Sequence, residues 1–533
     1  MSQELRTNPT PTFWRGCFLF LLCAVGLTLL HLALRTSNVI GGVRYFVLPD
    51  DGMISMRYAR NFAEGVGLVW NPGEHVQGFT NPAWTMIMAA VHWAGLPSRL
   101  TSLPLQLASL ALHLLTGTYI WWRVARRSGP SWAIGAAAAY LTASCTLTWA
   151  ISGWETSAVA LGWALALDPA VLDDEQGADR MWRSLGFAGL TVLFRPDAAL
   201  LLGALGAYWV VTAGAARRGR ALLGVAVAAA PALALAIFQQ EYYGSWIPNT
   251  ATLKRSAGLL SATYGIEYVL VSLIRYPFNG AVLLAAVFGA ARLQRPSAVL
   301  AALFAAIYLG YVVWVGGDAF THARFLLPLL PTATVLAVDW VSRITIPSDR
   351  RRAFLIRAAT VAMVSALAFD FADAALVAVP EQKNLNRTAL ITALALQDLS
   401  VDRTPIVGIF LAGTIPYYNP SVSFHDMLGK NEPHIARTEP HSGRPGHNRW
   451  DYDYSLDRIR PDLIVTSYPI AQKRLSLRRT GFRRTGDFYQ DLYDQAQFAD
   501  LYLPSRVPLK FGDESVHMFE AYARKDGTFA PSQ

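Results

Sequence analysis

The sequence predicts a polytopic α-helical membrane protein that carries a mixed α/β domain outside the bilayer. Of its 533 residues 53% are hydrophobic and only 16% are charged, with a mean hydropathy of +0.29. An ordinary soluble enzyme is less apolar than this. Apolar runs recur as far as residue 371, and Lys/Arg clusters sit at their edges: Arg123/Arg126/Arg127, Arg217/Arg218/Arg220, Arg292/Arg295 and Arg350/Arg351/Arg352. The formal charge of +9 is therefore read as membrane topology and not as a nucleic-acid surface. From about residue 380 the long apolar runs stop and His, Asp, Arg and Tyr become frequent.

The first apolar run, 13–34, follows a short arm containing Arg6 and has Arg15 near its inner edge. It is long enough to cross roughly 30 Å of hydrocarbon, and no small-residue cleavage site follows it. A retained anchor with a cytoplasmic N-terminus is expected. Further spans are predicted at 103–122, 132–149, 156–167, 185–194, 198–212, 222–238, 281–291, 298–315, 325–341 and 354–371. The run 83–94 is too short to span and is placed on the outer membrane face, because counting it as a span would invert everything downstream. The result is about eleven spans with the N-terminus inside and the C-terminus outside. Two domains follow: a transmembrane module over 1–379 and an extracytoplasmic one over 380–533. Outer segments are expected at 35–82, at 239–277 and in the tail, where 405–411 and 462–467 read as strands. Cys17, Cys23 and Cys145 all fall in predicted spans without metal-type spacing, so no disulfide framework or zinc site is expected. With no Walker-type loop and no G-x-G-x-x-G, ATP-driven transport has no support.

Asp50 and Asp51 lie just beyond the first span, in the first outer segment. An enzyme acting there has no ready nucleotide-sugar supply, so its donor has to arrive in the lipid, as a polyprenyl-phosphate sugar does. One of Asp50 and Asp51 can then take the proton of an attacking hydroxyl while the other tunes it through like-charge proximity. The plainer alternative is that the pair caps a helix.

The surrounding residues carry a resemblance. The runs Asp50-Asp51-Gly52-Met53-Ile54-Ser55-Met56-Arg57-Tyr58, Glu64-Gly65-Val66-Gly67-Leu68-Val69-Trp70-Asn71-Pro72-Gly73-Glu74 and Gly78-Phe79-Thr80-Asn81-Pro82-Ala83-Trp84 are similar to the first outer loop of GT-C membrane glycosyltransferases. The match continues in Ser152-Gly153-Trp154-Glu155-Thr156, Phe194-Arg195-Pro196-Asp197, Tyr242-Tyr243-Gly244-Ser245-Trp246-Ile247-Pro248-Asn249-Thr250 with Lys254, and Gly316-Gly317-Asp318 with Arg324-Phe325-Leu326-Leu327-Pro328. The branch it most resembles is that of the mycobacterial-type terminal β-arabinofuranosyltransferases. The resemblance implies a GT-C fold in the bacterial cytoplasmic membrane and a polyprenyl-phosphate donor, decaprenyl-phosphate arabinofuranose in that branch. It also implies catalysis by Asp50 or Asp51 and a cell-envelope glycan, lipid or protein as acceptor. Two positions depart from the pattern: Gly52 stands where Ala is expected, and Gly446-His447-Asn448-Arg449 only loosely matches a Gly-His-Glu-Lys element.

The remaining candidates divide by chemistry. Lys254, Arg324, His322 and Arg195 are expected to serve the donor phosphate, with Lys254 steadying the departing negative charge. Asp318, Glu155, Trp154, Asn81, Asn249 and His447 are expected on the sugar and acceptor side. Each has a plainer alternative: a headgroup lysine for Lys254, internal pairs for Asp318 with Arg324 and for Arg195 with Asp197. His425, His434, His441 and His447 read as surface histidines, so no metal ligand set is predicted and no cofactor is required, although a divalent ion could bridge carboxylate and phosphate. A GT-C transferase for mannose, aminoarabinose or another lipid-linked sugar is the nearest alternative function. A lipid-linked sugar flippase or transporter is the alternative outside enzymes, and the repeated halves it would predict are not found.

Overall fold

The computed structural model describes residues 10–172, 178–254, 259–293, 296–320, 322–344, 368, 371–397, 405–441, 443–466, 488–509 and 517–527. Helix α1 (Pro11–Arg35) starts at Thr10, whose hydroxyl accepts the Phe13 N–H at 3.3 Å, with Pro11 in its first turn. Both residues favour a helix start. A two-stranded hairpin, β1 (Asn38–Ile40) and β2 (Val43–Tyr45), then leads to α2 (Asp50–Ala63) and α3 (Pro82–Trp93). α2 buries Met53, Ile54, Met56 and Tyr58, α3 buries Trp84 and Met88, and all six belong to one apolar cluster. The run expected at 83–94 is thus a 12-residue helix, too short at about 1.5 Å per residue to cross the hydrocarbon upright.

The next helices follow the apolar runs closely. α4 (Ser102–Ser128) ends at Gly129, and Pro130 opens α5 (Pro130–Thr142). α6 (Ser144–Ala150) continues after a 63° bend at Ala143, whose extended backbone breaks the ladder. α7 (Thr156–Leu167), α8 (Ala178–Phe194), α9 (Ala199–Thr212) and α10 (Ala215–Tyr243) succeed one another, α10 ending at left-handed Gly244. Leu222, Leu223, Val227, Leu233 and Ile237 of α10 are exposed, which is the surface a lipid-facing helix presents. Short α11 (Asn249–Leu253) precedes α12 (Leu259–Ile274), α13 (Pro277–Leu293) and α14 (Pro296–Trp314). A 3₁₀ stretch, Arg324–Leu329, then runs into α15 (Leu330–Ser342).

Among the described residues four helical stretches are long and apolar enough to cross a membrane: Pro11–Arg35, Ser102–Ser128, Ala215–Tyr243 and Arg324–Ser342. They become six if each bent pair is one span. Thr156–Leu172, Pro196–Thr212 and Val299–Trp314 are apolar but shorter. The run expected to span at 132–149 is a pair of helices bent by 63°, and 259–274, within the outer segment expected at 239–277, forms a helix meeting α13 at 96°. Glu267 and the Ser and Thr residues of α12 interrupt its apolar run, which hid it. The span expected at 354–371 lies almost wholly outside the described residues.

In the tail, α16 (Val379–Gln397) precedes a five-stranded sheet of order β4-β3-β5-β7-β6. β3 (Ile406–Ile409) pairs in parallel with both β4 (Ser423–Asp426) and β5 (Leu463–Val465). β5 pairs antiparallel with β7 (His517–Arg524), and β7 with β6 (Tyr502–Leu509). Strands were expected at 405–411 and 462–467, and β3 and β5 occupy those places. A parallel pair needs a crossover, and α17 (Thr414–Tyr418) lies in the one between β3 and β4.

That crossover is clamped to the first loop by Arg57, a residue of α2 only 1% exposed. Its Nε donates to the Trp70 carbonyl at 2.5 Å, its Nη1 to the carbonyls of Pro416 and, at 3.4 Å, Asn419. Nη2 donates to Asn71 Oδ1 and the Val422 carbonyl, both at 3.2 Å. The guanidinium also lies over the rings of Trp70 and Phe424, 5.2 and 5.0 Å from their centroids. Lysine has neither the fork nor the donors to reproduce this. Replacing Arg57 with Met leaves several buried acceptors unpaired, so Arg57→Met is expected to lower stability by about 3 kcal/mol. Thermal unfolding of the detergent-solubilised protein reads this, and an unchanged melting temperature would remove the clamp from the account.

Candidate functional site

A cavity of about 710 Å³ opens where α2, the 78–81 segment before α3, the 152–155 turn, α11, the end of α14 and two tail loops meet. Its polar lining includes Asp51, Ser55, Asn81, Glu155, Arg195, Asp197, Lys254, Asp318, Arg324, Lys430 and His447. Its apolar lining includes Ile247, Leu253, Tyr311, Trp314, Val315 and Phe320. Trp314 is 76% exposed and Ile247 38%, so apolar side chains reach the outer surface beside the polar pocket.

The two first-loop carboxylates have separate surroundings. Pro49 is the N-cap of α2 and no side chain caps that helix, so neither aspartate performs the plainer role the sequence allowed. Asp50 does not line the cavity. Its carboxylate accepts the backbone N–H groups of Thr414 at 2.9 Å and Gly413 at 3.2 Å, fastening α2 to the start of α17. Gly413 is obligatory there, since a Cβ would lie 1.8 Å from the Asp50 carbonyl oxygen. Burial raises the Asp50 carboxyl to about 6, with the Thr414 N–H and the Lys430 charge opposing that rise in part.

Asp51 is the carboxylate that faces the cavity. It accepts from Lys430 Nζ at 2.5 Å. Burial pushes its pKa up, but the charges of Lys430, His447 and Arg324 and the Lys430 hydrogen bond outweigh it and hold Asp51 well below the ordinary carboxylate range. Next to it Gly52 accommodates Trp154: a Cβ on residue 52 would lie 2.4 Å from Trp154 Nε1. The departure from Ala at this position therefore has a steric partner in the same wall.

Three of the four cations in the cavity are already paired. Arg324 grips Asp318 through Nε at 2.8 Å and Nη2 at 3.0 Å, and its guanidinium lies 4.6 Å from the Trp154 ring centroid and 5.2 Å from that of Phe320. Arg195 holds Asp197 through Nε at 3.0 Å and Nη2 at 2.6 Å. Both internal pairs that the sequence left as alternatives are thus present. Lys254 makes no ion pair among the described residues; burial lowers its ammonium pKa against the opposing pull of Asp318. Its Cε would be 3.3 Å from a Cβ on Gly446, so the 445–447 loop closes over it. Among the described residues no group of three His, Cys, Asp or Glu side chains could hold a metal ion.

Along another stretch of the wall, Ser55 Oγ donates to Asn81 Oδ1 at 2.8 Å and Asn81 Nδ2 to Glu155 Oε2 at 3.0 Å. This chain presents hydroxyl, amide and carboxylate groups to the cavity. Asn81, Trp154, Glu155, Asp318, His447, Lys254, Arg195 and Arg324 all line it, as does Asp51. Asp50, His322 and Asn249 do not. His322 contacts Asp373 at 3.5 Å, while its N–H donates to Tyr276 Oη and its carbonyl accepts Trp149 Nε1. It sits at φ 68°, followed by Ala323 at φ 51°, and this left-handed turn aims Arg324. Asn249 donates to the Gly429, Lys430 and Glu432 carbonyls at 2.8, 3.2 and 3.3 Å. Lys430 itself was missed, because a single lysine in a polar tail carries no local sequence signal.

Comparison with known proteins fits this geometry. No family model matches the chain. The terminal beta-(1->2)-arabinofuranosyltransferase of Mycobacterium tuberculosis is 31% identical over 343 residues, 57% of this chain and 53% of the relative. The enzyme of the same name from Corynebacterium glutamicum is 29% identical over 348 residues, 56% and 49% of the two chains. The chain thus spans about half the length of the curated relatives it matches. Crystal structures of ArnT from Cupriavidus metallidurans superpose with a TM-score of 0.58 in the apo state and 0.56 bound to undecaprenyl phosphate. They are 14% identical and cover 97% and 98% of this chain and 100% of ArnT. The chain has the GT-C fold, and its sequence is similar to those of the terminal β-(1→2)-arabinofuranosyltransferases, as its first-loop motifs imply.

Proposed function

We propose that the chain is an integral-membrane glycosyltransferase that moves a sugar, arabinofuranose in the branch it resembles, from a polyprenyl phosphate to a cell-envelope acceptor on the outer face of the cytoplasmic membrane. The observation that carries this reading is the composition of one cavity. It joins a charged carboxylate, Asp51, to a lysine that makes no ion pair among the described residues, Lys254, beside an apolar border at Tyr311, Trp314 and Ile247. A sugar-phosphate with a prenyl tail asks for that combination: polar groups for the sugar, a cation for the phosphate and an apolar exit for the chain. ArnT, which shares the fold, was crystallised with undecaprenyl phosphate, and by fold analogy this chain takes a carrier of that chemistry.

In the proposed reaction the acceptor hydroxyl oxygen bonds to the anomeric carbon as the bond from that carbon to the phosphate oxygen breaks. Polyprenyl phosphate leaves with the bonding electrons, and Lys254 stabilises the added negative charge. Asp51 accepts the acceptor hydroxyl as a hydrogen bond and takes its proton as the new bond completes. Its weak basicity also suits it to face the positive charge developing on the anomeric carbon. Ser55, Asn81 and Glu155 offer a hydrogen-bonding surface for sugar hydroxyls. Asp50 keeps α2 in place. The cavity's own cations supply the charge stabilisation, so no cofactor is part of the proposal.

The reading is tested with the purified full chain, a panel of polyprenyl-phosphate sugars and a synthetic arabinan acceptor. Transfer is expected from the arabinofuranose donor, and absence of transfer from every donor would sink the proposal. Asp51→Asn is expected to lower kcat at least about a hundredfold. Asp50→Asn is expected to lose stability more than turnover, because its backbone contacts are made outside the cavity. Lys254→Gln is expected to reduce kcat/KM for the donor by about tenfold or more. An acceptor-side KM change alone would place Lys254 elsewhere.

A further inference from the structure

We propose that Lys430, brought in by the tail, is a working residue of this site: its ammonium is the counter-ion that keeps Asp51 an aligned carboxylate, and Asn249 is the residue that positions it. The inference rests on the glycosyltransfer reading above and adds a residue that reading does not contain. Lys430 lines the same cavity as Asp51, and the two side chains meet at 2.5 Å. They stand 379 residues apart in sequence, so the contact exists only because the tail is docked.

The loop that carries Lys430 is held from two sides. Asn249, at the start of α11, donates to the carbonyls of Gly429, Lys430 and Glu432. From the other side Asp426, at the end of β4, accepts from the backbone N–H groups of Leu428 at 3.1 Å and Asn431 at 2.8 Å, and from Asn431 Nδ2 at 3.0 Å. Asn431 Oδ1 in turn accepts from Tyr58 Oη at 3.0 Å, which returns the loop to α2 itself. A long flexible lysine therefore springs from a fixed backbone. Its side chain is 10% exposed, leaving it little freedom to turn away.

Asp51 needs such a partner. The charged and titratable groups around it are Asp50 on α2, Lys430 and His447 from the tail, Arg324 from the 3₁₀ stretch and Lys254 following α11. Burial is the largest influence on Asp51 and favours the protonated acid, and Lys430 is the largest one opposing it. With Lys430 removed, Asp51 loses its direct ammonium contact and the largest influence opposing its burial, so its proton affinity rises beside an Asp50 that is already raised. Acidification then removes the anion at a higher pH than in the native site.

The experiment is the pH profile of kcat, and of kcat/KM for the donor, in the full chain carrying Lys430→Met, Lys430→Arg or Asn249→Ala. A carboxylate that must be ionised loses activity on acidification through its pKa, so raising that pKa moves the acid limb to higher pH. Lys430→Met is expected to shift the acid limb upward by about one unit or more, with the loss of kcat growing as the pH falls and activity recovering as it rises. Lys430→Arg is expected to keep the wild-type profile, and Asn249→Ala to shift it upward by less. A loss equal at every pH, or a rise in donor KM with an unshifted kcat profile, overturns the proposal: the first makes Lys430 structural and the second makes it a phosphate ligand. If Lys430→Met does not fold, Asn249→Ala decides, an upward shift supporting the proposal and an unshifted profile overturning it. The glycosyltransfer reading fails separately, through full activity of Asp51→Asn.

Discussion

The guanidinium of Arg57 ties together the first outer loop and the tail, and the site depends on that tie. Its carbonyl partners come from Trp70 on one side and from Pro416, Asn419 and Val422 on the other, so α2 and the β3 to β4 crossover cannot separate without exposing or orphaning them. No carboxylate is among these hydrogen-bond partners. The choice has a physical consequence: a carboxylate would satisfy only part of the planar fork, whereas carbonyls from two segments read its full outline. Asp50 adds a second fastening at the N-terminal end of the same helix, through the N–H groups of Gly413 and Thr414. With α2 fixed at its N-terminus and at its middle, the direction of Asp51 is fixed too, and Lys430 meets it from the docked tail.

Two neighbouring aspartates therefore carry different burdens, and their environments explain why. Both lose water, which favours the acid form in each. Asp51 gains a direct ammonium contact that, together with the charges of His447 and Arg324, outweighs the loss, while Asp50 gains neutral backbone donors and a more distant share of the Lys430 charge. Adjacent carboxylates in one turn cannot both be stabilised equally as anions by one lysine. The arrangement assigns the anion to the cavity and leaves the other group near its titration point against the tail. Position in the sequence could not separate them, because the distinguishing groups lie more than 360 residues downstream.

What the sequence disclosed follows the range of the interactions involved. Apolar runs are local, so α1, α4, α7 and α10 lie where composition places them, and the first-loop motif marks a carboxylate that does line the cavity. Lys254, Arg324 and Glu155 were legible for the same reason, as polar residues at the ends of apolar segments, and Asn81 through the first-loop motif that contains it. The misses are of another kind. The 63° break at Ala143 is set by backbone conformation, which hydropathy does not register. Asn249 and His322 stand within motifs that reach the site, yet their side chains hold backbone and a neighbouring carboxylate instead of facing the cavity. Motif membership locates a residue near the site; only packing decides whether it supports the wall or forms it.

The internal pairs in the cavity finally bear on how the proposed sugar-phosphate donor would be admitted. Buried ions at membrane depth need partners, and Arg195 with Asp197 and Arg324 with Asp318 supply one another. If both arginines were unpaired, the empty cavity would hold a large uncompensated positive charge at a heavy desolvation cost. Pairing removes that cost but leaves each arginine with an established acceptor that a phosphate has to share or displace. Lys254 has no such acceptor among the described residues, and burial already disfavours its charged form. In the proposed reaction the donor phosphate therefore gains most at Lys254, where it relieves an unfavourable charge without breaking an existing pair. Arg324, held over Trp154 and Phe320, can then add its remaining donors while Asp318 keeps its orientation. Under the proposed function, a cavity with one unpaired lysine among the described residues and balanced pairs elsewhere would select where the negative charge enters as well as its sign.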